Sequence, residues 1–389
     1  MKRENTVAVL GSTGSVGTQA LEVAEHLGIK ISLMAAGSNA RKMEAQVRKF
    51  RPSVCVMQDE KAANELKIAL SDTDVKVYGG EPALLDSIAE TESHTVLHAI
   101  SGCAGLMPAM TAAKCGKRIA MANKEAIVIA GDMLHRAIRE NGAELIPVDS
   151  EHSAIFQCLK GNNHGEVSRL LLTASGGAFR GKKRDELSHM TAAEALAHPT
   201  WRMGAKITVD SASLMNKGFE VIEACHLFGV PESKIEVLIH RESILHSAVE
   251  YIDKAVIGQL SVPDMRECVQ YAVDYPDRHP SSSERLDLFE IGSLTFAKPD
   301  YETFPLLSMA FRAMADGGAY GAVLESADER VVESYLLDKI TFNDISDIVS
   351  ETYEKCTFAK GITSLDDILS AHKEAAMIAD SIINKKSKN

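Results

Sequence analysis

Several features that mark large classes of protein are scarce in this sequence. Its 389 residues include seven cysteines, at positions 55, 103, 115, 158, 225, 268 and 356, none of them in a Cys-x-x-Cys pair. An odd and scattered set excludes a disulfide framework and a zinc site, and reads as small buried thiols in a reducing compartment. No apolar run approaches the roughly 18 residues of a membrane span. No leader precedes Thr6-Val7-Ala8-Val9-Leu10, which already reads as a strand, so a cytoplasmic location is expected. Positive charge is also short: 42 Lys and Arg stand against 54 Asp and Glu, a net charge of −12. That excludes a partner such as nucleic acid, which needs a basic footprint, and equally an anionic membrane surface. Internal repeats and low-complexity segments are absent. What remains is ordinary for a globular chain, with 45% hydrophobic and 25% charged residues, and a length that suggests about two to three domains.

The first 150 or so residues alternate strand-like and helical runs. Strands are expected at Thr6–Leu10, Ile31–Ala36, Val54–Met57, Val75–Tyr78, Thr95–Ile100, Arg118–Ala122 and Glu144–Pro147. A helix with apolar Val16, Ala20, Val23, Ala24 and Leu27, closed by Gly28, separates the first two. Such alternation predicts an α/β fold with a doubly wound parallel sheet. After Pro147-Val148-Asp149 the pattern becomes α+β: a strand at Arg169–Thr173, a helix from about Asn216 to Phe228, then strands Ile235–His240, Ile244–Tyr251 and Val256–Ser261 that read as antiparallel. Residues 275–305 suit a linker, and helical spacing runs from about Leu306 onward. Ser364-Leu365-Asp366-Asp367 reads as a capping box for the last helix, and Lys385–Asn389 as a frayed basic tail.

Gly11-Ser12-Thr13-Gly14-Ser15-Val16-Gly17 lies between a strand and a helix, a GxxGxxG variant of the dinucleotide fingerprint. Glycines allow the tight turn, and the helix N-terminus faces a pyrophosphate. The end of the second strand, Ala36-Gly37-Ser38-Asn39-Ala40-Arg41, has no carboxylate to repel a 2′-phosphate. NADP(H) is therefore favoured over NAD, with Arg41 either a phosphate partner or a solvated first-turn residue. Ala99-Ile100-Ser101-Gly102 and Asn123-Lys124-Glu125 also follow strands, at the ends that feed the ligand crevice. Lys124 is open to two readings, a cofactor contact or an ion-pair partner of Glu125.

Asp149-Ser150-Glu151 ends a strand, and in extended backbone positions i and i+2 point the same way. Asn216 and Glu220, four apart on a helix, share a face. If Glu220 meets Asp149 and Glu151, three hard oxygen donors suit Mg²⁺ or Mn²⁺ rather than zinc; surface solvation is the alternative for each. Ser175-Gly176-Gly177 follows a strand, and Ser211, Asn216 and Lys217 approach a helix N-terminus, where anions are favoured. Ser211 and Ser213 also read as plain helix caps. His198-Pro199-Thr200-Trp201-Arg202-Met203-Gly204 carries the single tryptophan in a polar segment, as a lid over a substrate or as a core-anchored loop.

Taken together, these stretches resemble the 1-deoxy-D-xylulose 5-phosphate reductoisomerase family of the non-mevalonate isoprenoid pathway. The likeness adds Val148–His152, Thr173–Phe179, Val209–Glu220, His246-Ser247 and Ser261–Arg266 and runs from about residue 6 to 360. It implies a Rossmann-like NADPH domain over 1–149, an α+β catalytic and dimerisation domain over 150–274, a linker over 275–305 and a C-terminal helical domain over 306–389. It also implies a homodimer that isomerises and reduces a small sugar phosphate, 1-deoxy-D-xylulose 5-phosphate, to 2-C-methyl-D-erythritol 4-phosphate, using NADPH and one Mg²⁺ or Mn²⁺. Asp149, Glu151 and Glu220 match metal ligands, and Lys124 joins them as a catalytic candidate. Ser150, Ser175, His198, Ser211, Asn216, Lys217 and His246 match substrate positions, and Trp201 and Met203 match the lid. The implied cofactor contacts are Gly11, Ser12, Thr13, Gly14, Ser15, Val16, Gly37, Ser38, Asn39, Ala99, Asn123, Lys124, Glu125 and Gly204. Three departures stand out. His240-Arg241-Glu242-Ser243 replaces the usual His-Pro-Gln-Ser, Glu325-Ser326-Ala327-Asp328-Glu329 replaces Asn-Ala-Ala-Asn-Glu, and Arg202 replaces a small polar lid residue.

Overall fold

The computed structural model describes residues 6–386. The chain divides into two compact units. The first takes the chain up to Ala126, then Leu134–Ser153 and Asp264–Glu284; the second takes Ile127–Met133, Ala154–Pro263 and everything from Arg285 onward.

In the first unit, each of the seven predicted strands forms, within two residues of its expected ends: β1 Thr6–Leu10, β2 Lys30–Ala36, β3 Val54–Met57, β4 Lys76–Gly79, β5 Thr95–His98, β6 Arg118–Met121 and β7 Glu144–Pro147. They make one parallel sheet in the order β4-β3-β2-β1-β5-β6-β7. Their near-continuous apolar runs follow from burial on both faces, as parallel sheets require. The chain reverses its direction of winding between β1 and β5, so a crevice opens at the carboxyl ends of these two strands. Gly11 sits there with φ +84°, and a Cβ on it would lie 2.3 Å from the Ala99 carbonyl oxygen. A side chain at position 11 is thus excluded twice, by backbone conformation and by the end of β5. Helix Met265–Asp274, which the sequence placed at the close of the catalytic segment, packs in this unit against helix Ser15–Leu27.

The second unit holds a four-stranded sheet of β8 Val167–Ala174, β9 Ile235–Ile239, β10 Leu245–Tyr251 and β11 Val256–Leu260, ordered β11-β10-β8-β9. This corrects one expectation. β10 is antiparallel to β11 as predicted, but β9 pairs in parallel with β8 and not with β10. The cause is the connection: β8 reaches β9 through a long helical crossover that includes helices Ala205–Ala212 and Met215–Phe228, and such crossovers join parallel neighbours. Four long helices follow toward the C-terminus of the unit: Leu306–Asp316, Tyr320–Leu336, Phe342–Lys355 and Leu365–Lys386. Ser364 caps the last as its box predicts, accepting from the Asp367 backbone N–H at 3.2 Å. That helix continues through Lys385 and Lys386, so this part of the expected frayed tail is ordered, with Lys386 paired to Asp344; residues 387–389 lie outside the described residues.

Candidate active site

In the first unit the glycine turn leads into helix Ser15–Leu27, whose N-cap is Gly14 and whose first turn has no side-chain cap. Its leading N–H groups therefore face outward with a partial positive charge. Gly14 and Ser15 are exposed, and Thr13 and Val16 are half-buried. Ser12 differs: its hydroxyl is buried and donates to Gln46 Oε1 at 2.9 Å, while Gln46 returns a bond to the Ser12 carbonyl at 2.8 Å. The side chain fastens the turn to helix Ala40–Phe50. Gly37, Ser38 and Asn39 lie exposed past β2, with Asn39 Oδ1 accepting from the Lys42 N–H at 3.0 Å. Lys42 is a basic group that sequence reading missed in favour of Arg41. Its Nζ reaches the Thr13 carbonyl at 2.8 Å and Thr18 Oγ1 at 3.0 Å, placing an ammonium beside the turn. Its position one helical turn after Asn39 was the available signal.

At the ends of β5 and β6, Asn123 is buried and spends its amide on the chain. Nδ2 donates to the carbonyls of Ile100 and Gly102 at 2.6 and 3.1 Å and to Glu125 at 3.1 Å, and Oδ1 accepts from the Ala126 N–H at 2.8 Å. This ties Ile100–Gly102, next to Ala99, to the start of helix Lys124–Asn141. His98 lies buried beneath, bonded through Nε2 to the Gly105 carbonyl at 2.7 Å. Burial pushes its imidazole down to about 4, so it is neutral near pH 7.

Lys124 finds an ion-pair partner other than Glu125. Its Nζ lies 2.6 Å from Asp149 Oδ2, and both groups are largely buried. Burial opposes the Asp149 charge, but Lys124 and His152 outweigh it and hold the carboxyl well below the usual range. The extended geometry expected for Asp149-Ser150-Glu151 is replaced by a helical one. Helix Ser150–Leu159 begins directly after Asp149, whose carbonyl accepts from the Ser153 N–H at 2.8 Å. Both carboxylates still converge, one oxygen of each lying within 4.8 Å of the other, because a helix start projects both toward its N-terminal end. Ser150 donates its hydroxyl to Glu151.

In the second unit, Ser175 follows β8 and meets His198 Nε2 at 3.0 Å. His198 Nδ1 accepts from the backbone N–H groups of Thr200 and Trp201 at 3.1 and 2.9 Å. With Nδ1 an acceptor, the neutral ring carries its proton on Nε2 and donates it to Ser175 Oγ. Burial, then Arg180, lower the His198 imidazole and favour that neutral form. Gly177 has φ +68°, and a Cβ there would lie 2.3 Å from the Ser211 carbonyl oxygen. This close approach seats the turn 175–177 on helix Ala205–Ala212.

Ser211 stands in that helix's last turn and Ser213 is its C-cap, with its hydroxyl accepting from the Met215 N–H at 3.3 Å, so the capping reading holds for Ser213 alone. Leu214, in left-handed conformation, opens helix Met215–Phe228 without a side-chain cap. Asn216 and Lys217 lie in its first turn and both grip Glu220: Asn216 Nδ2 donates at 2.6 Å, and Lys217 Nζ pairs with the other carboxylate oxygen. The i, i+4 reading of Asn216 and Glu220 therefore holds, with Lys217 added from i, i+3. Trp201 and Met203 are half-buried in the irregular segment ahead of Gly204, the exposed N-cap of helix Ala205–Ala212. The indole centroid is 6.2 Å from that of His246, a buried β10 residue whose Nε2 meets Ser261 Oγ at 2.8 Å. The departure at Arg241-Glu242 has a local cause. Glu242 accepts from Thr295 Oγ1 at 2.7 Å and pairs with His240 Nδ1 at 3.0 Å, tying the end of β9 to the segment around Ala297.

A dinucleotide-type turn with the Asp149 and Glu151 carboxylates on one unit, and a serine, amide and lysine set around buried Glu220 on the other, define a class: nucleotide-dependent enzymes of phosphorylated substrates. Comparison with known proteins narrows it. Family models described as 1-deoxy-D-xylulose 5-phosphate reductoisomerase match residues 7–131, and those of its C-terminal domains match 145–228 and 260–378. A protein of that name from Caldanaerobacter subterraneus subsp. tengcongensis is 49% identical over 369 residues, 94% of this chain and 96% of the other. The reductoisomerase of Zymomonas mobilis, solved with NADPH, superposes with a TM-score of 0.91 at 38% identity, covering 98% of this chain and 99% of that one. A DOX-P reductoisomerase solved with NADPH, fosmidomycin and magnesium gives 0.92 at 36% identity, covering 98% of each chain. The chain belongs to the 1-deoxy-D-xylulose 5-phosphate reductoisomerase family.

Proposed function

We infer that this chain catalyses the NADPH-dependent, divalent-cation-dependent isomerisation and reduction of 1-deoxy-D-xylulose 5-phosphate to 2-C-methyl-D-erythritol 4-phosphate. The observation that carries this is the family match along nearly the whole chain, together with the intact acidic and phosphate-binding sets. The chemistry of the donors fits the implied groups. Asp149 is held ionised, and Glu151 and Glu220 add oxygen donors, a hard set that suits Mg²⁺ or Mn²⁺. When bound, the cation supplies a Lewis acid for adjacent substrate oxygens and the dinucleotide supplies a hydride.

The chain's own residues then have definite tasks. Lys124 keeps Asp149 charged and aimed, and Asp149, Glu151 and Glu220 hold the cation. Ser150 steadies Glu151. Ser175, Ser211, Asn216 and Lys217 bind the phosphate, with His198 orienting Ser175 through its Nε2 proton. Binding energy gained at the phosphate, remote from the reacting carbons, is available to order the lid. Trp201 and Met203 cover the substrate, and His246 backs the indole. The turn Gly11–Val16, exposed at Gly14 and Ser15, and the segments Gly37–Asn39, Ala99, Asn123–Glu125 and Gly204 serve the dinucleotide, with Lys42 beside the turn.

We assign a cytoplasmic homodimer. Among the described residues no helix is long and apolar enough to cross a membrane. β11 forms a sheet edge with Val256, Ile257 and Leu260 exposed, a surface suited to a second copy. The test is NADPH oxidation with 1-deoxy-D-xylulose 5-phosphate, with and without Mg²⁺ or Mn²⁺. Metal-dependent oxidation supports the assignment. Oxidation that is indifferent to metal, or NADPH binding without turnover, refutes it.

A further inference from the structure

Helices Ala205–Ala212 and Tyr320–Leu336 meet through a polar joint inside the second unit. Lys206 Nζ lies 2.7 Å from Asp210 Oδ2 and 2.6 Å from Asp328 Oδ2. Both carboxyls are buried, and the remaining oxygen of each, Oδ1, has no hydrogen-bond partner. The other groups around the joint do not supply a second cation. Glu325, three residues before Asp328, is buried and spends Oε2 on His372 at 2.6 Å. Glu329 is exposed, Phe219 lays its ring 5.2 Å from Lys206 Nζ, Lys217 and Glu220 are paired with each other, and Glu194 on the neighbouring short helix caps Thr191.

Two buried carboxylates facing one ammonium would leave a negative charge uncompensated, which is strongly unfavourable. Both orphan oxygens are satisfied at once if one carboxyl is protonated and donates to the other. Burial and the neighbouring Asp328 raise the Asp210 carboxyl well above its usual range, and one ammonium bonded to both carboxyls places the two groups side by side. The proton belongs to the pair rather than to either residue.

We propose that Asp210 and Asp328 share one proton against Lys206, and that this joint positions Ser211 and the turn 175–177 for the substrate phosphate. Ser211 follows Asp210 directly, and the Gly177 backbone packs on the Ser211 carbonyl, so a shift of the helix end moves both. The positioning half rests on the phosphate-site reading above.

The sign follows from the raised carboxyl. The shared proton is lost as pH rises through the raised value of the Asp210 carboxyl, leaving two anions on one lysine. In the wild-type enzyme the KM for 1-deoxy-D-xylulose 5-phosphate should rise about tenfold toward alkaline pH, about 1.4 kcal/mol of lost positioning, with a parallel fall in Tm. Asp328→Asn supplies an amide N–H in place of the proton and should flatten both profiles, while kcat at neutral pH stays close to wild type. Infrared titration of the wild-type protein needs no variant. A protonated-carboxyl C=O band should persist at neutral pH, disappear at alkaline pH, and be absent in Asp328→Asn and Asp210→Asn. Absence of that band in the wild type, or identical KM and Tm profiles in wild type and Asp328→Asn, overturns the proposal. Wild-type KM in both Ser175→Ala and Ser211→Ala overturns the phosphate-site reading, and with it the positioning half, while the band still reports the shared proton.

Discussion

Replacing Gly177 with alanine tests how the phosphate turn is built. The residue has φ +68°, where an L side chain costs roughly 1–2 kcal/mol. A Cβ would also lie 2.3 Å from the Ser211 carbonyl oxygen, 2.7 Å from its carbon and 2.8 Å from Ala212 Cα, all of them backbone atoms. Restoring ordinary contact requires the turn and helix Ala205–Ala212 to separate by roughly 1 Å, a displacement that costs about 100-fold when it falls on a reacting or binding group. Gly181→Ala is the matched control: φ is +85° and nothing lies within 4 Å of its Cβ, so it carries the conformational cost alone. Gly177→Ala should lower kcat/KM about 100-fold, or about 2.7 kcal/mol, mainly through KM for the sugar phosphate. NADPH affinity should be unchanged, because the glycine turn of the first unit is untouched. Steady-state kinetics and NADPH fluorescence titration measure the two. Equal kinetics for Gly177→Ala and Gly181→Ala would show that the close approach to Ser211 does not organise the site.

Other expectations follow from single contacts. Lys124→Met strips Asp149 of its buried cation and should cost about 3–5 kcal/mol in urea unfolding, with weaker activation by Mg²⁺; unaltered stability and metal response would contradict the pairing. Glu220→Gln should abolish most turnover while sparing NADPH binding, and full turnover at saturating metal would remove Glu220 from the ligand set. His98 is depressed to about 4 in the folded state from an ordinary 6.5, so the unfolded chain binds its proton first as pH falls. Stability should drop by about 3 kcal/mol between pH 6.5 and 4 on this account, and Asn at position 98 should lessen that drop in pH-dependent denaturation.

Much of this was legible in the residues. The first unit's strands are short apolar runs separated by amphipathic helices, and local pattern placed all seven. β9 and β10 show the limit: their spacing resembles a hairpin, but partner choice is decided by the crossover that delivers β9 to the far side of β8. The site divides in the same way. Asn216, Lys217 and Glu220 sit within one helical turn, so spacing alone predicts their grouping. Lys124 pairs with Asp149 across 25 positions of sequence, a partner that neither reading from spacing, a cofactor contact or an ion pair with Glu125, supplies. The strand's end at Pro147 was read correctly, but the helix start at Ser150 was not, so Asp149 and Glu151 were expected in extended backbone. Ser12 is expected at the cofactor from its place in the glycine turn, but that its hydroxyl fastens the turn to Gln46, 34 residues on, is not written in the spacing. Lys206, Asp210 and Asp328 were not seen as a group, since their union needs two helices separated by more than a hundred residues.

The central claim is that one metal-dependent site both rearranges the carbon skeleton and reduces it. Incubating the purified chain with 1-deoxy-D-xylulose 5-phosphate, NADPH and Mg²⁺, and identifying the product by carbon NMR, tests this most directly. The account predicts 2-C-methyl-D-erythritol 4-phosphate in equal amount to the NADPH consumed, and none when Mg²⁺ is chelated. An unbranched reduced sugar phosphate, or the same product at the same rate without a divalent cation, would contradict it.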